Sequence, residues 1–413
     1  HTRLRIDDEI WEIARSLCLR KGSMVWTEKG AYPIEDIVPG MRVLGLEGAD
    51  VRSFTVTETY NNGTKKLLRV RTKHRELFLT EDHKVLTQEV DGSRRWVKAG
   101  DLVIRRFPSG SIDYAQTSRL VICTRLRGGR VPEWSELWQT EDPTTREWGN
   151  KGNPNPINLP PRITPEFCRL LGFLLGDGFM SSGKDSNLNT NVCYSRKVQQ
   201  EKNDLYDGLL SSLGLKVHIS DVTGTSCVSS IKFKLILLAL GWKNGCSEKR
   251  IPGWVFGLPE EYREALLWGF IDADGSVGKS KTWTRLRYSF EISNEGMARD
   301  FKNLIDGLGY VSGNLSTRHR PPGFSIKGKV VKTTKASWSL CFSTKRFDAD
   351  VTSESVIGIE VYGESEVFDI TVDHPAHNFI AEGVVVHNCK FGNEMNELLV
   401  TNEGVVGLNH LPA

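Results

Sequence analysis

The sequence predicts an all-β domain that is interrupted by an α/β domain. Short runs of β-forming residues, separated by Gly, Asn and charged turns, occupy residues 18–107 and return in residues 351–388. Between them, residues 161–350 mix helical and strand patterns, and two similar helical segments there both end in Asp-Gly. A single β-domain split around an insert is the simplest arrangement in which the strand pattern stops and then returns.

The first elements are a short helix and a series of strands. In residues 1–17, Ile6, Ile10 and Ile13 share one helical face. Strands are then predicted at SMVWT, RVLGL, SFTVTETY, LLRVRT, ELFLT and KVLTQEV, and in the returning part at SVIGIEVYG, SEVFDITVD and NFIAEGVVV.

Two segments of the first β-region resemble each other. Residues 34–45 (IEDIVPGMRVLG) and 95–106 (RWVKAGDLVIRR) both place a turn with Gly between apolar stretches. This repetition predicts a β-domain built from two similar halves. Residues 108–160 are rich in Pro, Gly and Asn, so we expect a linker or an insert with some local structure.

Composition narrows the function classes. The chain has 413 residues and a net charge of +3, so we expect more than one domain, and bulk charge argues only weakly for nucleic acid. Its eight cysteines are scattered without a C-x-x-C pair, which makes a disulfide framework and a structural zinc site unexpected. We therefore expect a reducing, cytoplasmic setting. We expect no secretory signal and no membrane span, because no apolar run is long enough to cross a bilayer.

Residues with distinctive chemistry lie near the C-terminal end of the β-region. His387, Asn388 and Cys389 follow three valines, and this triplet is either a loop after a strand or a built-in cleavage point. The Asn388 side-chain amide can attack its own backbone carbonyl to form a five-membered succinimide, which breaks the bond to Cys389. His387 can donate a proton to that carbonyl as charge develops.

A second reactive group lies at the start of the β-region. The Cys18 thiol can attack the Leu17 carbonyl and convert the amide into a thioester, which Cys389 can then attack. Thr80 and His83, three residues apart at a predicted strand end, are candidate helpers. Alone, such a Thr-x-x-His is more often part of a turn, but a cysteine at one end and His-Asn-Cys at the other favour catalysis.

Residues 18–388 resemble an intein, a self-splicing protein insert. CLRKGSMVWTEKGAYPIEDIVPG resembles the N-terminal splicing block, GTKKLLRVRTKHRELFLTEDHKVLT the block with Thr-x-x-His, and VFDITVDHPAHNFIAEGVVVHNC the two C-terminal blocks. The resemblance implies a horseshoe-shaped all-β Hint fold with pseudo-twofold symmetry, and no cofactor for splicing. It implies catalytic roles for Cys18, Thr80, His83, Asp369, His377, His387, Asn388 and Cys389. The flanking segments would be host segments (exteins) in cis, joined as Leu17–Cys389.

The α/β insert contains two matching helical segments, TPEFCRLLGFLLGDGFM (164–180) and LPEEYREALLWGFIDADGSV (258–277). Both begin with Pro-Glu, which suits the first turn of a helix. Both also carry small residues four positions apart, which would let two helices pack closely. These small residues are Gly172 and Gly176 in the first segment and Gly269 and Ala273 in the second.

Each of these segments ends in an aspartate, Asp177 or Asp274. A carboxylate at a helix C-terminus faces the negative end of the helix dipole, and two of them on paired helices would repel each other. A cation between them would offset both effects, and oxygen ligands favour Mg²⁺, a common partner of phosphodiester chemistry. The alternative is a structural helix pair with acids beside glycine caps.

The nonapeptides LLGFLLGDG and LWGFIDADG resemble the LAGLIDADG motif of homing endonucleases. The resemblance implies two pseudo-symmetric αββαββα halves that straddle double-stranded DNA, in a protein expected to act as a monomer. It makes Asp177 and Asp274 the catalytic acids and Mg²⁺ ligands. Lys249 and Lys345 are candidates for a lysine that supports the metal-bound water.

Basic residues are dense where DNA-facing strands would lie, at 279–290 and 316–335. Such runs are usually solvated faces, but beside a nuclease motif they favour DNA contact. Arg125, Arg127 and Arg130 could add contacts from the 108–160 stretch.

Together these patterns imply a segment order and a leading hypothesis. The predicted order is an N-extein segment (1–17), the first splicing part (18–107), a linker or DNA-recognition insert (108–160), an endonuclease domain (161–350), the second splicing part (351–388) and a C-extein segment (389–413). The leading hypothesis is protein splicing combined with site-specific cleavage of double-stranded DNA.

Three alternatives remain open at this stage. The first keeps splicing but has an endonuclease domain that binds DNA without cutting it; the presence of both Asp177 and Asp274 argues against it. The second, an autoprocessing domain that only cleaves, would lack the terminal Asn388. The third, a DNA-binding regulator, leaves Cys18 and Asn388 unexplained.

Overall fold

The computed structural model describes residues 17–143, 157–182, 190–196, 200–278, 286–319, 325–326, 329–330, 336–388, 398–401 and 404–407. The predicted N-terminal helix and Cys389 lie outside these residues, as does much of the two basic stretches.

The described secondary structure consists mainly of strands. In chain order they are β1 (Leu19–Arg20), β2 (Met24–Thr27), β3 (Gly30–Pro33), β4 (Arg42–Glu47), β5 (Asp50–Thr72), β6 (Glu76–Leu79), β7 (Lys84–Gln88), β8 (Arg94–Lys98), β9 (Arg119–Cys123), β10 (Gly178–Ser182), β11 (Thr190–Ser195), β12 (Val217–Ser220), β13 (Thr225–Ser229), β14 (Gly275–Gly278), β15 (Arg287–Ile292), β16 (Tyr310–Ser312), β17 (Ser316–His319), β18 (Ser325–Ile326), β19 (Lys329–Val330), β20 (Ala336–Arg346), β21 (Val351–Val372), β22 (Asn378–Ala381), β23 (Val384–His387), β24 (Leu398–Thr401) and β25 (Gly404–Gly407). The helices are α1 (Trp134–Leu137), α2 (Pro165–Asp177), α3 (Gln200–Ser212), α4 (Ile231–Ala239), α5 (Glu260–Asp274) and α6 (Glu295–Gly307).

The chain forms two compact units, and the first is interrupted in sequence by the second. The first combines the described chain up to Cys123 with that from Ala349 onward, and the second is Thr124–Asp348. The division therefore falls after β9, later than the predicted boundary at residue 107. The reason is that β9, within the predicted linker, pairs with β7 and with the start of β21.

The first unit is built of strands, of which β1 to β9 and β21 to β23 join in one 12-stranded sheet, while β24 and β25 pair in a separate two-stranded sheet. Its longest members, β5 and β21, pair antiparallel from Val56↔Val372 to Thr72↔Val356, with several register shifts. Short strands continue on both sides of this pair, and β1 lies between β21 and β6. Alternating Val, Ile, Leu and Phe side chains from these strands form the core, which is typical of strands with one buried face.

The two similar segments of the sequence adopt similar local structure. Each contains a 3-10 turn that ends in an aspartate, at Ile34–Asp36 and at Ala99–Asp101. The next residue in each case, Ile37 or Leu102, is buried in the core. The predicted internal repeat therefore has a structural counterpart.

The second unit consists of two halves with the same strand order. In the first half, α2 leads to a four-stranded sheet of order β10-β11-β13-β12, and the half ends with α4. In the second half, α5 leads to β14-β15-β20-β16, with β17 on β20. The first half has the predicted αββαββα sequence of elements. The described second half ends in β20 instead of a third helix.

Helices α2 and α5 pack with their backbones in close contact, as the small residues predict. A Cβ added to Gly172 would lie 1.9 Å from the Leu266 carbonyl oxygen, and one added to Gly269 would lie 2.0 Å from that of Arg169. Neither distance is compatible with a side chain. The glycines therefore set the spacing of the helix pair.

One cysteine pair departs from the expectation that disulfides are absent. Cys193 on β11 and Cys227 on β13 are direct cross-strand neighbours, with 4.1 Å between their Cα atoms, and they form a disulfide. Their separation of 34 residues gave no indication of this, because the register of two strands is not visible in local spacing. Among the described helices, none is long and apolar enough to cross a membrane.

The helix contact makes a testable prediction about stability. Gly172→Ala places a methyl group against a carbonyl of α5, so we expect the second unit to lose about 1–3 kcal/mol of unfolding free energy. Gly208→Ala is the matched control, because Gly208 is an exposed mid-helix glycine on α3 with no atoms within 4 Å of an added Cβ. Urea titrations should show the control at or above wild-type stability. Equal stability of Gly172→Ala and the control would contradict the close contact.

Candidate active site

Cys18 lies at the edge of β1, between two strands that position its backbone and its sulfur. Leu19 pairs with Phe368 on β21 and with Leu79 on β6. Continuing both antiparallel registers by one residue places Cys18 opposite Asp369 on one side and Thr80 on the other. Cys18 and Asp369 are both fully buried. The pairing of β1 with β21 therefore brings Cys18 and Asp369 together.

Thr80 holds the Cys18 peptide groups by several hydrogen bonds. The Cys18 N–H donates to Thr80 Oγ1 at 3.0 Å, and the Thr80 N–H donates to the Cys18 carbonyl at 3.0 Å. The Thr80 hydroxyl also lies 3.4 Å from that carbonyl as a donor. The amide nitrogen that would leave in an attack on Leu17 is therefore fixed beside a hydroxyl.

The Cys18 sulfur lies in surroundings that disfavour a thiolate. Burial, and then the negative charge of Asp369, raise the pKa of Cys18 to about 12. A hydrogen bond from Asn62 and the positive charge of Lys65 act in the opposite direction. The thiol is therefore inert at neutral pH until a base takes its proton.

His83 is a buried imidazole on the same segment as Thr80. Its backbone is fixed on both sides, since its N–H donates to Thr80 O at 3.1 Å and its carbonyl accepts from Ala99 N at 2.8 Å. The side chain is 0% exposed, and neither ring nitrogen has a hydrogen-bond partner among the described residues. Burial, and then the proximity of His387, lower the pKa of His83 to about 3. The ring is therefore neutral in the folded protein at neutral pH.

The Asn388 side chain is held firmly at the other end of the unit. Oriented to satisfy its surroundings, its Nδ2 donates to the His377 carbonyl at 2.7 Å and its Oδ1 accepts from the Val372 N–H at 3.0 Å. The Asn388 backbone N–H also donates to the His377 carbonyl, at 3.0 Å. Asn388 is 0% exposed, so water has little access to its carboxamide.

His377 holds Asn388 through its backbone carbonyl. It adopts φ = +44°, a left-handed conformation that is uncommon for a residue other than glycine. This turn directs its carbonyl oxygen at the two Asn388 donors. Strained backbone of this kind persists where the surrounding structure enforces it, often at functional sites.

His387 contacts the carbonyl that an attack by Asn388 would convert to an oxyanion. Its Nδ1 lies 2.6 Å from the Asn388 carbonyl oxygen, and since that oxygen only accepts, Nδ1 must carry the proton. The ring packs edge-to-face on Trp96, with 4.9 Å between ring centroids. The imidazole is therefore oriented before any reaction begins.

The two ends of the unit meet on β21 and at His83. Cys18 lies beside Asp369, and the Asn388 side chain bonds to Val372, three residues further along the same strand, about 10 Å away. Val386 on β23 pairs with Val85 on β7, and continuing that register places Asn388 opposite His83. The structure thus brings the predicted site residues of the first unit together. Cys389 lies outside the described residues.

The second unit carries the two helix-terminal aspartates that the sequence singled out. Helices α2 and α5 end at Asp177 and Asp274. A Cβ added to Gly176 would lie 2.5 Å from the Ala273 Cβ and 3.2 Å from Asp274 Oδ2, so the two helix ends are adjacent. Asp274 is exposed and Asp177 is half-buried. The two carboxylates project from the end of one closely packed helix pair.

Lys249 joins this group by capping α2. Its buried ammonium donates to the carbonyls of Leu174 (3.2 Å), Leu175 (2.9 Å) and Gly178 (2.6 Å). Burial lowers the pKa of Lys249, while the charges of Cys246, Asp274 and Asp177 oppose that effect. A positive charge at a helix C-terminus offsets the dipole that the aspartates face.

The donor set at the helix ends fits Mg²⁺, which takes one or two protein carboxylates and completes its shell with water and phosphate oxygens. Among the described residues, no group of three or more His, Cys, Asp or Glu side chains is placed to hold a metal ion. Any metal at Asp177 and Asp274 would therefore depend on further oxygens from water or a phosphodiester. Lys345 lies on β20.

Sequence reasoning missed several groups that shape these sites. Asn62 donates to the Cys18 sulfur, Trp96 orients His387, and the Val372 N–H holds Asn388. The Asn-Gly dipeptide at residues 62–63 indicated a turn or bulge. Nothing in the sequence indicated that this bulge lies over Cys18.

Comparison with known proteins gives a consistent picture. The family model described as the intein splicing domain matches residues 25–388, more than half of the chain. The tRNA-splicing ligase RtcB of Pyrococcus abyssi is 26% identical, with 90% of this chain and 48% of that protein aligned. The chain thus spans about half the length of the relative it matches.

Two solved structures are also similar in parts. A DnaB intein from Synechocystis sp. PCC 6803 aligns with 90% of this chain and 97% of its own, at 10% identity and a TM-score of 0.27. The homing endonuclease I-DmoI aligns with 43% of this chain and 88% of its own, at 18% identity and a TM-score of 0.29. The family match runs from residue 25 to Asn388, so it spans most of the β-unit and the unit inserted in it. The chain belongs to the intein splicing domain family.

Proposed function

We propose that this intein removes residues 18–388 from its host and joins Leu17 to Cys389. The observation that supports this proposal most strongly is the position of both junctions at one end of β21, with Cys18 beside Asp369 and the Asn388 amide on Val372. Peptide bonds far apart in sequence can exchange only if a rigid scaffold brings them together, because proximity supplies much of the rate.

The first step is an acyl shift at Leu17. The Cys18 sulfur loses its proton, bonds to the Leu17 carbonyl carbon and displaces the Cys18 nitrogen, which takes up a proton. Thr80 holds the departing nitrogen, in line with the hydrogen bond between Cys18 N and Thr80 Oγ1. His83, on the same segment, is the proposed group through which a proton reaches that nitrogen. The Cys389 thiol then attacks the thioester carbon and takes over the N-terminal segment as Cys18 regains its S–H.

The second step releases the C-terminal junction. Asn388 Nδ2 attacks its own carbonyl carbon, and the bond to the Cys389 nitrogen breaks as that nitrogen gains a proton. Negative charge develops on the Asn388 oxygen, which His387 Nδ1–H stabilises from its position 2.6 Å away. The thioester between Leu17 and Cys389 then rearranges to a peptide bond. No step requires a cofactor.

Splicing can be tested by mass spectrometry of the full chain incubated with a reductant and a chelator. We expect loss of the 18–388 segment and a ligated product with a Leu17–Cys389 bond. His387→Ala should slow Asn388 cyclisation about 100-fold, because it removes the donor to the developing oxyanion.

His218→Ala serves as the matched control, since His218 is exposed on β12 in the other unit. It should splice like the parent chain. Full-length chain that persists under all conditions, or equal rates for the two histidine variants, would contradict the mechanism.

The buried state of His83 predicts a pH dependence of stability. Its pKa falls from the ordinary 6.5 to about 3 in the folded chain, so between these values the unfolded chain binds a proton that the native chain does not. The contribution of His83 to the free energy of unfolding is therefore fully present above pH 6.5 and is lost as the pH falls towards about 3. In a splicing-inactive Cys18→Ala, Asn388→Ala background, His83→Gln should remove up to about 1.4 kcal/mol per pH unit of this slope.

Urea titrations at several pH values between about 7.5 and about 4 would measure the effect, because this range runs from above the ordinary histidine pKa to well below it. His218→Gln is the control and should keep the parental slope. A His83→Gln variant whose stability runs parallel to the parent across this range would show that His83 is not buried as a neutral base.

We further propose that the second unit cleaves double-stranded DNA at the site where the host gene lacks this insert. The supporting observation is that Asp177 and Asp274 project from adjacent helix ends. When bound by these two carboxylates, Mg²⁺ would activate water and offset charge on the scissile phosphodiester. Arg287, Arg318 and His319 are exposed on the sheet that contains β15 and β17, and these basic side chains would favour contact with phosphates.

Cleavage can be tested with a plasmid carrying DNA that encodes the joined flanks, in the presence of Mg²⁺. Asp274→Asn should reduce cleavage at least about 100-fold while DNA binding and splicing persist, because it removes a metal ligand and leaves the fold intact. Asp204→Asn, at an exposed position on α3, is the matched control and should cleave normally. Binding without cleavage by the parent chain would support the alternative of a non-cutting domain.

A further inference from the structure

We propose that Asn62 is a positioning residue for the first step of splicing, where its side-chain amide orients the Cys18 sulfur and stabilises it as the S–H proton leaves. The inference rests on the splicing function proposed above and adds a residue to it. Asn62 Nδ2 lies 3.1 Å from Cys18 Sγ, within hydrogen-bond distance of a sulfur acceptor. Donors to an ionised acceptor form stronger hydrogen bonds than donors to a neutral one, so this contact strengthens as charge develops.

A local break in the β5–β21 pairing places Asn62 over the sulfur. Glu366 pairs with Thr64 and Phe368 pairs with Asn61, so β5 spends three residues where β21 spends two. Gly63 has φ = +72°, a conformation that glycine adopts without strain. Such a bulge redirects a side chain out of the regular alternation of a strand.

The environment of Cys18 explains why a donor is needed there. The thiol is 0% exposed, so water cannot solvate a thiolate. Among the described residues, the charge of Asp369 on β21 opposes ionisation of this thiol and that of Lys65 on β5 favours it. His83, joined to the same segment through Thr80, is neutral. Asn62 is a neutral donor that favours the anion without adding a charge.

The step is balanced within the chain. The Cys18 S–H proton passes to a base, the sulfur bonds to the Leu17 carbonyl carbon, and the bond to the Cys18 nitrogen breaks as that nitrogen is protonated. No oxidant, reductant or co-reactant is consumed. Asn62 takes no proton, so it acts only through the sulfur.

The test uses the full chain in an Asn388→Ala, Cys389→Ala background, which stops the reaction at the Leu17 thioester. Hydroxylamine cleaves that thioester and releases the N-terminal segment. The rate of release is measured between about pH 6 and about pH 9.5, because this range includes the ordinary cysteine pKa. Asn62→Ala should react about 10-fold more slowly near neutral pH, and its rate should rise only at higher pH than the parent's. Asn62→Asp, of the same shape, should be slower still because it loses the donor and adds negative charge.

Asn61→Ser is the matched control. Asn61 is the neighbouring residue of the same type, and its Nδ2 donates to the surface carboxylate of Glu366. Its Oδ1 accepts from the Gly63 N–H, an interaction that a serine hydroxyl can replace without adding a charge, so the bulge should remain intact. The control should keep the parental rate and pH profile, and Asn62→Gln, which retains an amide, should recover part of the rate.

The outcomes separate the inference from the proposed function. If the parent releases its N-terminal segment and the Asn62 variants match it in rate and pH profile, the role of Asn62 is overturned while splicing stands. A uniform fall in rate with no shift along the pH axis would also overturn it, because a structural defect acts in that way. A parent chain that forms no hydroxylamine-sensitive bond would overturn both.

Discussion

The antiparallel pairing of β5 with β21 is the constraint on which the first unit depends. These two strands pair from Val56↔Val372 to Thr72↔Val356, and β1 docks onto β21 so that Cys18 lies beside Asp369. The same strand ends at Val372, whose N–H holds the Asn388 carboxamide. Because strand spacing is fixed by backbone geometry, the separation between the two junctions is set before any side chain acts. A register slip of one residue would reverse which face each side chain occupies and would dismantle the site.

The second unit solves a comparable positioning problem with helices. Gly172 and Gly269 allow α2 and α5 to approach until backbone meets backbone, so Asp177 and Asp274 at their ends are fixed relative to each other. Directly after each aspartate, Gly178 or Gly275 leads into a strand, and a side chain there would meet a carbonyl of the preceding helix turn. Lys249 binds the carbonyls at the end of α2 and offsets the local negative charge. In both units, close backbone packing places the reactive groups, and a few polar side chains tune them.

The sequence predicted the features that depend on local pattern. Runs of β-forming residues at both ends predicted the split β-unit. The Pro-Glu starts and Asp-Gly ends of α2 and α5 match the observed helix bounds within a residue or two. Features that depend on long-range register were not predictable. The strand β9 lies in a Pro- and Gly-rich stretch that indicated a linker, and Cys193 and Cys227 meet only because β11 and β13 pair in one register. The hydrogen bond from Asn62 to Cys18 and the left-handed turn at His377 likewise depend on strand pairing and not on local composition.

A crystal structure of a splicing-inactive precursor carrying Cys18→Ala and Asn388→Ala would test the central claim most directly, through the distance between the carbonyl carbons of residues 17 and 388. We expect a separation of about 10 Å, with β1 on β21 in the Leu19↔Phe368 register and His83 between the two junctions. Carbonyls separated by more than about twice that distance, or a β21 that contacts only one of the two junctions, would contradict it.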